Sequence, residues 1–330
     1  MRLLCRELAT RGDVAPELVT RARSELARRA TGTTVRGVPW TLSVDPRAVI
    51  GLDAVLQRVR PDVVHAHDAH ALRALRWAMT WTYRRATPPP LVVTRRVDFR
   101  LRRPGIWIAA DCVIAISHAV QRVLEASGVP GDHIRVIPDG VDANEVRHAA
   151  SVALNIRGRL GLAPGTPLAV NMAALVEHKD HPTLIRAAAA ARAARPDLHW
   201  VIAGSGPRRG ALQRLINELG VASCVHLTGY IEEADALIRE GNVLVMSSRE
   251  EGLGSVVLQA LALGKPVVAT RAGGLAEVVP ADGLVDVGDA PALAARVAAV
   301  LADPPSVHLP ERFTIRAVAD AVVATYRALT

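Results

Sequence analysis

Short apolar runs alternate with longer amphipathic stretches along most of the chain. The apolar runs are rich in valine and isoleucine and are apolar at consecutive positions, which is the pattern of parallel strands buried on both faces. We predict such strands at 63–67, 91–94, 112–116, 135–137, 168–172, 199–203, 224–227, 242–246 and 266–270. Helices are predicted between them at 69–84, 119–127, 182–195, 207–219, 255–263 and 291–301. This alternation indicates an α/β fold whose parallel strands are joined by right-handed crossovers.

The start of the chain departs from this order. Residues 2–10 have the pattern of a helix, and residues 17–20 have that of the strand after it. A doubly wound domain normally begins with a strand, a glycine-rich turn and then a helix. We therefore expect the first strand to be missing from the N-terminal domain, either because the chain is truncated or because its start was assigned too far downstream.

The length predicts two domains, because 330 residues exceed the size at which one hydrophobic core usually stops growing. The least regular stretch between the two series of strands is 141–166. We place the boundary within it, which gives an N-terminal domain at 1–150 and a C-terminal domain at 151–330. The last predicted helix, 314–329, is expected to pack back across the first domain.

Composition excludes several classes of protein. Cys5, Cys112 and Cys224 lie far apart, which argues for a reducing compartment and against a disulfide framework or a zinc site. Charged residues interrupt the first apolar positions, and no apolar run reaches the about 20 residues of a membrane span, so we expect a cytoplasmic protein. The net charge of +8 comes almost wholly from arginine. It reflects either genomic composition or attraction to phosphorylated ligands and to the anionic inner membrane face, whereas few aromatic residues argue against nucleic-acid binding.

The segment SSREEGLGS at 247–255 follows a predicted buried strand and begins a predicted helix. Glycines at a helix start let the backbone approach a ligand, and the free N–H groups together with the helix dipole favour a phosphate. Glu251 precedes this glycine pair, where its carboxylate can accept hydrogen bonds from sugar hydroxyls. The other interpretation is an ordinary glycine turn with a solvated acidic pair.

Two further loops carry candidate ligand-binding residues. Lys179 follows the strand at 168–172, and in a chain with only one other lysine, Lys265, it suggests a cation that neutralises a diphosphate rather than a plain surface residue. Gly204, Ser205 and Gly206 follow the strand at 199–203, as in a dinucleotide fingerprint. That fingerprint requires an acidic residue at the end of the next strand, which here reads LTGY. A nicotinamide enzyme is therefore disfavoured, and a glycine turn at the rim of a nucleotide pocket remains.

The segment HAHDAH at 65–70 resembles a metal site at first sight. His65 and His67 share one face of the predicted strand, and Asp68 and His70 lie just beyond its end. The spacing misses the binuclear zinc pattern by one position, and no further ligand set is evident. We predict a polar cluster lining a cleft and no metal site.

Taken together, the motifs resemble those of the family-four retaining glycosyltransferases, from about residue 2 to the end of the chain. The resemblance is carried by PDVVHAH at 61–67, IPDGVD at 137–142, LVEHK at 175–179, AGSGP at 203–207, EEGLG at 250–254 and GKPVVATRAGG at 264–274. It implies the GT-B fold of two facing Rossmann-like domains. It also implies transfer of a sugar from a nucleoside diphosphate to an acceptor hydroxyl with retention, without a metal or another cofactor.

The resemblance assigns roles to individual residues. Glu251 matches the first glutamate of the family's E-x7-E motif and is expected to hold the donor sugar hydroxyls, while Lys179 pairs with the diphosphate. Tyr230 and Ile231 are expected beside the base. The remaining donor-side positions are Gly204, Ser205, Gly206, Gly252, Leu253, Gly254, Ser255 and Gln259. The acceptor side is expected to contain His67, Asp68 and Arg96.

The sequence departs from the family pattern at three of the matching positions. Gln259 stands at the second glutamate of E-x7-E and offers the ribose a neutral, weaker hydrogen bond. Ala174 stands where a phosphate-binding arginine often lies. Arg96 replaces a histidine and can bind an anion, but it cannot act as a general base.

The leading hypothesis is a glycosyltransferase of polysaccharide, glycolipid or glycoside synthesis, with a carbohydrate, lipid-linked or small-molecule acceptor. Its rival is a non-catalytic relic that binds a nucleotide sugar without turnover, which the missing strand and the three substitutions would explain. A sugar-nucleotide epimerase of the same fold lacks an identifiable acid and base set. The basic charge is compatible with peripheral contact at the inner membrane face.

Overall fold

The computed structural model describes residues 1–41, 45–101 and 103–330. They form two compact units, one containing Met1–Gly140 together with Arg312–Thr330 and the other containing Val141–Glu311. Both units are built from parallel strands and helices, so the predicted α/β class is confirmed.

The first unit begins with a helix, as the sequence predicts. Its helices and strands before the crossing to the second unit are α1 Arg2–Ala9, β1 Glu17–Arg21, α2 Glu25–Arg29, β2 Thr34–Val38, α3 Pro46–Val59, β3 Val64–Ala66, α4 Ala69–Thr82, β4 Leu91–Arg95, α5 Gly105–Ile108, β5 Cys112–Ala115, α6 His118–Ala126 and β6 Ile134–Val136. Strands β3 to β6 form a parallel sheet in chain order, and β1 pairs with β2 in a separate parallel pair.

The second unit contains α7 Ala143–Ala149, α8 Ile156–Arg159, β7 Leu168–Met172, α9 His181–Ala191, β8 His199–Ala203, α10 Arg209–Glu218, β9 Val225–Gly229, α11 Ala234–Glu240, β10 Val243–Met246, α12 Ser255–Ala262, β11 Val267–Thr270, α13 Leu275–Val278, β12 Leu284–Val285 and α14 Ala290–Ala302. The last helix, α15 Ile315–Arg327, belongs to the first unit, where it packs against α1. Its buried face, with Val318 and Val322, joins Leu4 and Leu8 of α1 in that unit's core.

The sheet of the second unit has the order β12-β11-β10-β7-β8-β9, and all of its strands are parallel. The chain first builds outward from β7 through β8 to β9 and then returns to place β10 on the other side of β7. The strand order therefore reverses between β7 and β10. In open α/β sheets such a switch point opens a crevice at the carboxyl ends of the strands, where ligands bind.

The structure differs from the sequence prediction in the place where the chain leaves the first unit and in elements that were not predicted, such as helix α3. The chain leaves the first unit at Gly140 rather than near residue 150, because α7 packs on α11 and α12 of the second unit. Two strands, β2 and β12, were not predicted: β2 carries Arg36 and Gly37 on a half-exposed edge, and β12 has only two residues. Within the described ranges no helix is long and apolar enough to cross a membrane.

Candidate active site

The switch point of the second unit brings Lys179 and Glu251 together. Lys179 lies in the short 3-10 turn Glu177–Lys179 after β7, and Glu251 lies in the loop after β10. The Nζ atom of Lys179 donates a hydrogen bond to Oε2 of Glu251. Their side chains are only 17% and 13% exposed, so both charges have lost most of their contact with water. Each charge offsets the desolvation of the other. The sequence predicts a role for each residue, and the fold makes them one charged pair.

Backbone and hydroxyl contacts fix the two loops to each other. The backbone N–H of Arg249 donates to the carbonyl oxygen of His178 at 2.8 Å. The hydroxyl of Ser247 donates to the carbonyl oxygen of Lys179 at 3.0 Å, and that of Ser248 to Oε2 of Glu251 at 3.4 Å. These bonds fix the backbone on either side of the ion pair. The side chains of Lys179 and Glu251 can therefore pair with few changes of rotamer.

A second ion pair, Arg249 with Asp180, is next to the first in the chain and was not predicted from the sequence. The carboxylate of Asp180 is 2% exposed and accepts from Nε of Arg249 at 2.9 Å and from the hydroxyl of Thr183 at 2.8 Å. Hydrogen bonds of this kind satisfy a buried carboxylate and tie the start of α9 to the loop after β10. Asp180 is therefore a structural neighbour of Lys179 and not a second ligand-facing charge.

The loop from Gly252 to Gly254 leads into α12 in the predicted manner. Gly254 has φ 84°, in the left-handed region, and a Cβ there would lie 2.7 Å from Cδ2 of Leu275. In the described structure no side chain caps the start of α12 at Ser255, which is exposed. A helix start with uncapped backbone N–H groups favours an anion. This arrangement, beside Lys179 and Glu251, is a candidate site for a diphosphate.

The glycines at Gly204 and Gly206 also have a packing reason. A Cβ on Gly204 would collide with the carbonyl oxygen of Ala173, because the loops after β7 and β8 touch there. The backbone N–H of Leu175 donates to the carbonyl oxygen of Ser205 at 2.9 Å across the same contact. The glycine turn at 204–206, predicted at the rim of a nucleotide pocket, therefore also packs against the segment that leads to Lys179.

Tyr230 and Ile231 follow the neighbouring strand β9. The Tyr230 side chain is 75% exposed, which is unusual for an aromatic residue, and Ile231 is half-buried. The carbonyl oxygen of Gly229, just before them, accepts from the backbone N–H of Gly204 at 2.8 Å. This bond places the exposed ring beside the glycine turn after β8, where it offers a flat apolar surface.

Gln259 lies on α12 and is engaged by a residue that sequence reasoning did not single out. Its Nε2 atom donates to Oδ1 of Asp235 on α11 at 2.8 Å. Burial raises the pKa of the Asp235 carboxyl, and the hydrogen bond from Gln259 opposes that rise. A neutral amide at this position is therefore matched to an acidic neighbour, which gives a physical reason for glutamine where the family pattern has glutamate.

We expect Gln259→Glu to destabilise the second unit by about 1–3 kcal/mol at neutral pH, because a hydrogen bond is replaced by two facing carboxylates. Chemical denaturation of the purified variant measures this loss. The double variant Gln259→Glu with Asp235→Asn reverses donor and acceptor and should recover most of the stability. Equal stability of wild type and Gln259→Glu would show that the bond to Asp235 does not matter.

His181, the first residue of α9, is buried, and neither of its ring nitrogens has a hydrogen-bond partner among the described residues. Burial, with Lys179 adding to it, lowers the pKa of this imidazole from the ordinary 6.5 to about 4. The unfolded chain therefore takes up a proton below pH 6.5, whereas the folded chain does so only near pH 4. The contribution of His181 to the free energy of unfolding is fully present above pH 6.5, and it is lost as the pH falls from 6.5 towards about 4.

Acidification from pH 7 to pH 5 should therefore lower the free energy of unfolding by about 2 kcal/mol through His181 alone. His181→Leu removes the titrating group and should flatten the fall in unfolding free energy between these two pH values by that amount. His308→Leu, at an exposed histidine of the same unit, is the control and should leave the slope unchanged. Denaturant unfolding at both pH values gives the comparison, and identical slopes for His181→Leu and wild type would contradict it.

His65, in β3, and His67, just after it, form a stacked pair in the first unit. The rings of His65 and His67 lie 4.1 Å apart, and His65 is held by the hydroxyls of Tyr326 at 2.6 Å and Thr94 at 2.7 Å. Burial, assisted by the positive charge of Arg96, lowers the pKa of His65 to about 3. Burial also lowers the pKa of His67, and its Nδ1 atom has no partner among the described residues. Both imidazoles are neutral at physiological pH.

Arg96 and Asp68 lie at the same carboxyl edge of that sheet but have their own partners. Arg96 follows β4 and pairs with Asp139 after β6, with Nη2 and Oδ1 2.9 Å apart. Asp68 is the N-cap of α4 and accepts from the backbone N–H groups of His70 and Ala71 at 2.7 and 2.8 Å. No three His, Cys, Asp or Glu residues among those described are placed to hold a metal ion.

Comparison with known families identifies the chain. The model described as glycosyl transferases group 1 matches residues 153–318, half of the chain, and that described as Glycosyltransferase Family 4 matches residues 1–145. The chain belongs to the group 1 glycosyltransferases. The first match covers β7 to α14, which include Lys179, Glu251 and the start of α12.

Curated relatives agree with this assignment. The chain is 36% identical over 208 residues to the GDP-mannose-dependent α-(1-6)-phosphatidylinositol monomannoside mannosyltransferase of Mycolicibacterium smegmatis, a region of 59% of this chain and 54% of that protein. It is 31% identical to the lipopolysaccharide core biosynthesis glycosyltransferase LpsE of Rhizobium meliloti over 58% of this chain and 54% of the relative. The chain thus spans about half the length of the curated relatives it matches.

Solved structures show the same fold. HepE of Anabaena in complex with UDP-glucose matches with a TM-score of 0.80 at 20% identity, over 99% of this chain and 96% of that chain. Sucrose-phosphate synthase of Thermosynechococcus elongatus matches with a TM-score of 0.72 at 22% identity, over 99% and 91% of the two chains. The predicted GT-B class with two Rossmann-like domains is confirmed.

Proposed function

We propose that this chain transfers a sugar from a nucleoside diphosphate donor to a hydroxyl group of a glycolipid or polysaccharide precursor, with retention and without a metal. The observation that carries the proposal is the partly buried pair of Lys179 and Glu251 at the switch point, beside a helix start that no described side chain caps. A cation for a leaving diphosphate and a carboxylate for sugar hydroxyls lie next to each other there.

The reaction requires charge stabilisation on the leaving group. The bond between the anomeric carbon and the diphosphate oxygen breaks, and its electron pair remains on that oxygen. Lys179 and the N–H groups at the start of α12 offset the developing negative charge, a contribution worth about 2.7–4 kcal/mol for one well-placed donor. The acceptor oxygen bonds to the anomeric carbon, and its proton passes to the departing phosphate.

The other donor-side residues have matching roles. The carboxylate of Glu251 accepts hydrogen bonds from the sugar, and the backbone of Gly252–Ser255 follows the sugar and the diphosphate. The exposed ring of Tyr230 gives the base a surface to stack on. Gln259 offers its amide oxygen to the ribose while its nitrogen remains with Asp235.

The acceptor side belongs to the first unit. Arg96 provides a positive charge, and Val97 and Phe99 in the same loop are each 38% exposed. Arg95 holds this loop by donating from Nε to the carbonyl oxygen of Val97 at 2.9 Å and from Nη2 to that of Phe99 at 2.7 Å. A cation beside exposed apolar side chains suits an acceptor with both anionic and apolar parts, such as a lipid-linked phosphate or glycan.

The proposal is tested with a panel of UDP-, GDP- and ADP-sugars. Calorimetry should detect binding of at least one nucleotide sugar to the purified chain, and release of the nucleotide should follow in the presence of lipid-linked or glycan acceptors. A chelator should leave both unchanged. Magnetic resonance of the product gives the anomeric configuration directly.

Three outcomes count against parts of this proposal. Lack of binding to every donor would reject a nucleotide-sugar site. Binding without turnover over a wide acceptor range would favour the non-catalytic interpretation. Loss of activity with a chelator, restored by a divalent ion, would reject independence from metals.

A further inference from the structure

Helix α4 has an outward face that the core does not use. Its inward face contributes Leu72, Leu75, Ala78 and Met79, all buried, to the packing of the first unit. Trp77 and Trp81 are one helical turn apart and are each 65% exposed, so they lie together on the opposite side. Large apolar side chains that are exposed together on one helix face mark an interaction surface more often than a single exposed apolar residue does.

The neighbouring helix α3 extends this surface. The hydroxyl of Thr82, next to Trp81, donates to Oδ1 of Asp53 at 2.6 Å, so the end of α4 lies against the middle of α3. Ile50, one turn before Asp53, is 63% exposed. The outer face of the α3–α4 layer thus presents Ile50, Trp77 and Trp81.

On α4 and in the segment after it, the charged side chains are all positive. Between residues 69 and 90 the sequence has four arginines and no aspartate or glutamate. Arg84 and Arg85 follow the helix end directly, and both are exposed. Tryptophan prefers the boundary between water and lipid, and arginine is attracted to anionic headgroups.

We propose that this face, formed by Ile50, Trp77, Trp81, Arg84 and Arg85, binds an anionic lipid bilayer with α4 lying in the plane of the headgroups. The apolar rings enter the interface, and the two arginines pair with lipid phosphates. The proposal does not depend on the transfer reaction, because it concerns the first unit and needs neither donor nor acceptor.

Sedimentation with vesicles tests it on the full chain. Phosphatidylcholine vesicles containing phosphatidylglycerol should bind the protein, and pure phosphatidylcholine vesicles should not. The double variant Trp77→Ala with Trp81→Ala should weaken binding at least about tenfold. Arg84→Glu with Arg85→Glu should weaken it at least about 25-fold, since each cation near the surface contributes about fivefold. The control, Arg186→Glu with Arg214→Glu at exposed arginines of the second unit, carries the same charge change and should retain binding.

Quenching of tryptophan fluorescence by brominated lipid shows whether the face itself touches the bilayer. Trp40, the remaining tryptophan that is not buried, is first replaced by phenylalanine. In that background Trp77 and Trp81 should be quenched, whereas adding Trp77→Phe with Trp81→Phe should leave vesicle binding with little quenching, because Trp107 and Trp200 are 3% and 1% exposed. Circular dichroism melts confirm that each variant is folded. Equal loss of binding in the Arg186 and Arg214 control would overturn the proposal. Self-association that Trp77→Ala and Trp81→Ala abolish, without vesicle binding, would assign the face to a second copy instead.

Discussion

Replacing Glu251 by alanine should reduce sugar transfer by about 10²–10³-fold, and replacing Lys179 by alanine should have an effect of the same size. Each change removes one member of the partly buried pair at the switch point. Loss of Lys179 leaves the leaving diphosphate without its cation, and loss of Glu251 leaves the sugar hydroxyls without their acceptor. Steady-state turnover with the donor found in the panel measures both effects.

A stability effect must be separated from this catalytic one. Either single change leaves one charge largely desolvated and unpaired, which destabilises the second unit. The double variant Lys179→Ala with Glu251→Ala removes both charges, so it should regain stability while remaining inactive. Glu250→Ala, at the exposed neighbouring acid, is the matched control and should keep its activity. Activity that survives in the double variant would remove both residues from the mechanism.

Replacing Gly204 by alanine should destabilise the second unit by about 3 kcal/mol or more, the largest effect expected from a single added methyl group. The new Cβ would meet the carbonyl oxygen of Ala173, a backbone atom that cannot rotate away. The loops after β7 and β8 would have to separate, and the segment leading to Lys179 would move with them. The transition temperature should fall by about 6–12 °C in scanning calorimetry.

Two other glycines of this unit provide controls for Gly204→Ala. Gly204 has φ 155° and Gly220 has φ 64°, both positive, but a Cβ at Gly220 would meet nothing within 4 Å. Gly220→Ala therefore measures backbone strain without a collision and should cost only about 1 kcal/mol. Gly210 lies in helix α10 in open surroundings, and Gly210→Ala should be neutral or slightly stabilising. If all three variants behaved alike, the contact with Ala173 would not be the reason for a glycine at 204.

The local pattern predicts the strands of the second unit well, and it does so for a physical reason. Strands β7 and β8 have the predicted bounds, and β10 and β11 each begin one residue later. Buried parallel strands are apolar on both faces, so they stand out against the amphipathic helices around them. An edge strand such as β2 has no such contrast, because one of its sides faces water.

The candidate site was only partly predictable. Lys179 and the loop at Glu251 could be found because lysine is rare in this chain and because the glycine pair begins a helix. Asp180 and Asp235 could not be found, since an acidic residue in a loop or an exposed helix start is common. Their importance comes from Arg249 and Gln259, which reach them only in the folded unit.

The sequence by itself determined where most of the strands lie, that the fold is α/β, and which loop could hold a phosphate. These properties depend on residues close together in the chain. Only the tertiary structure decided that Lys179 and Glu251, 72 positions apart, form one pair, and that Tyr326 on the last helix holds His65. The order in which strands pair depends on contacts between distant segments, and hydrophobic periodicity does not encode which strand becomes whose neighbour.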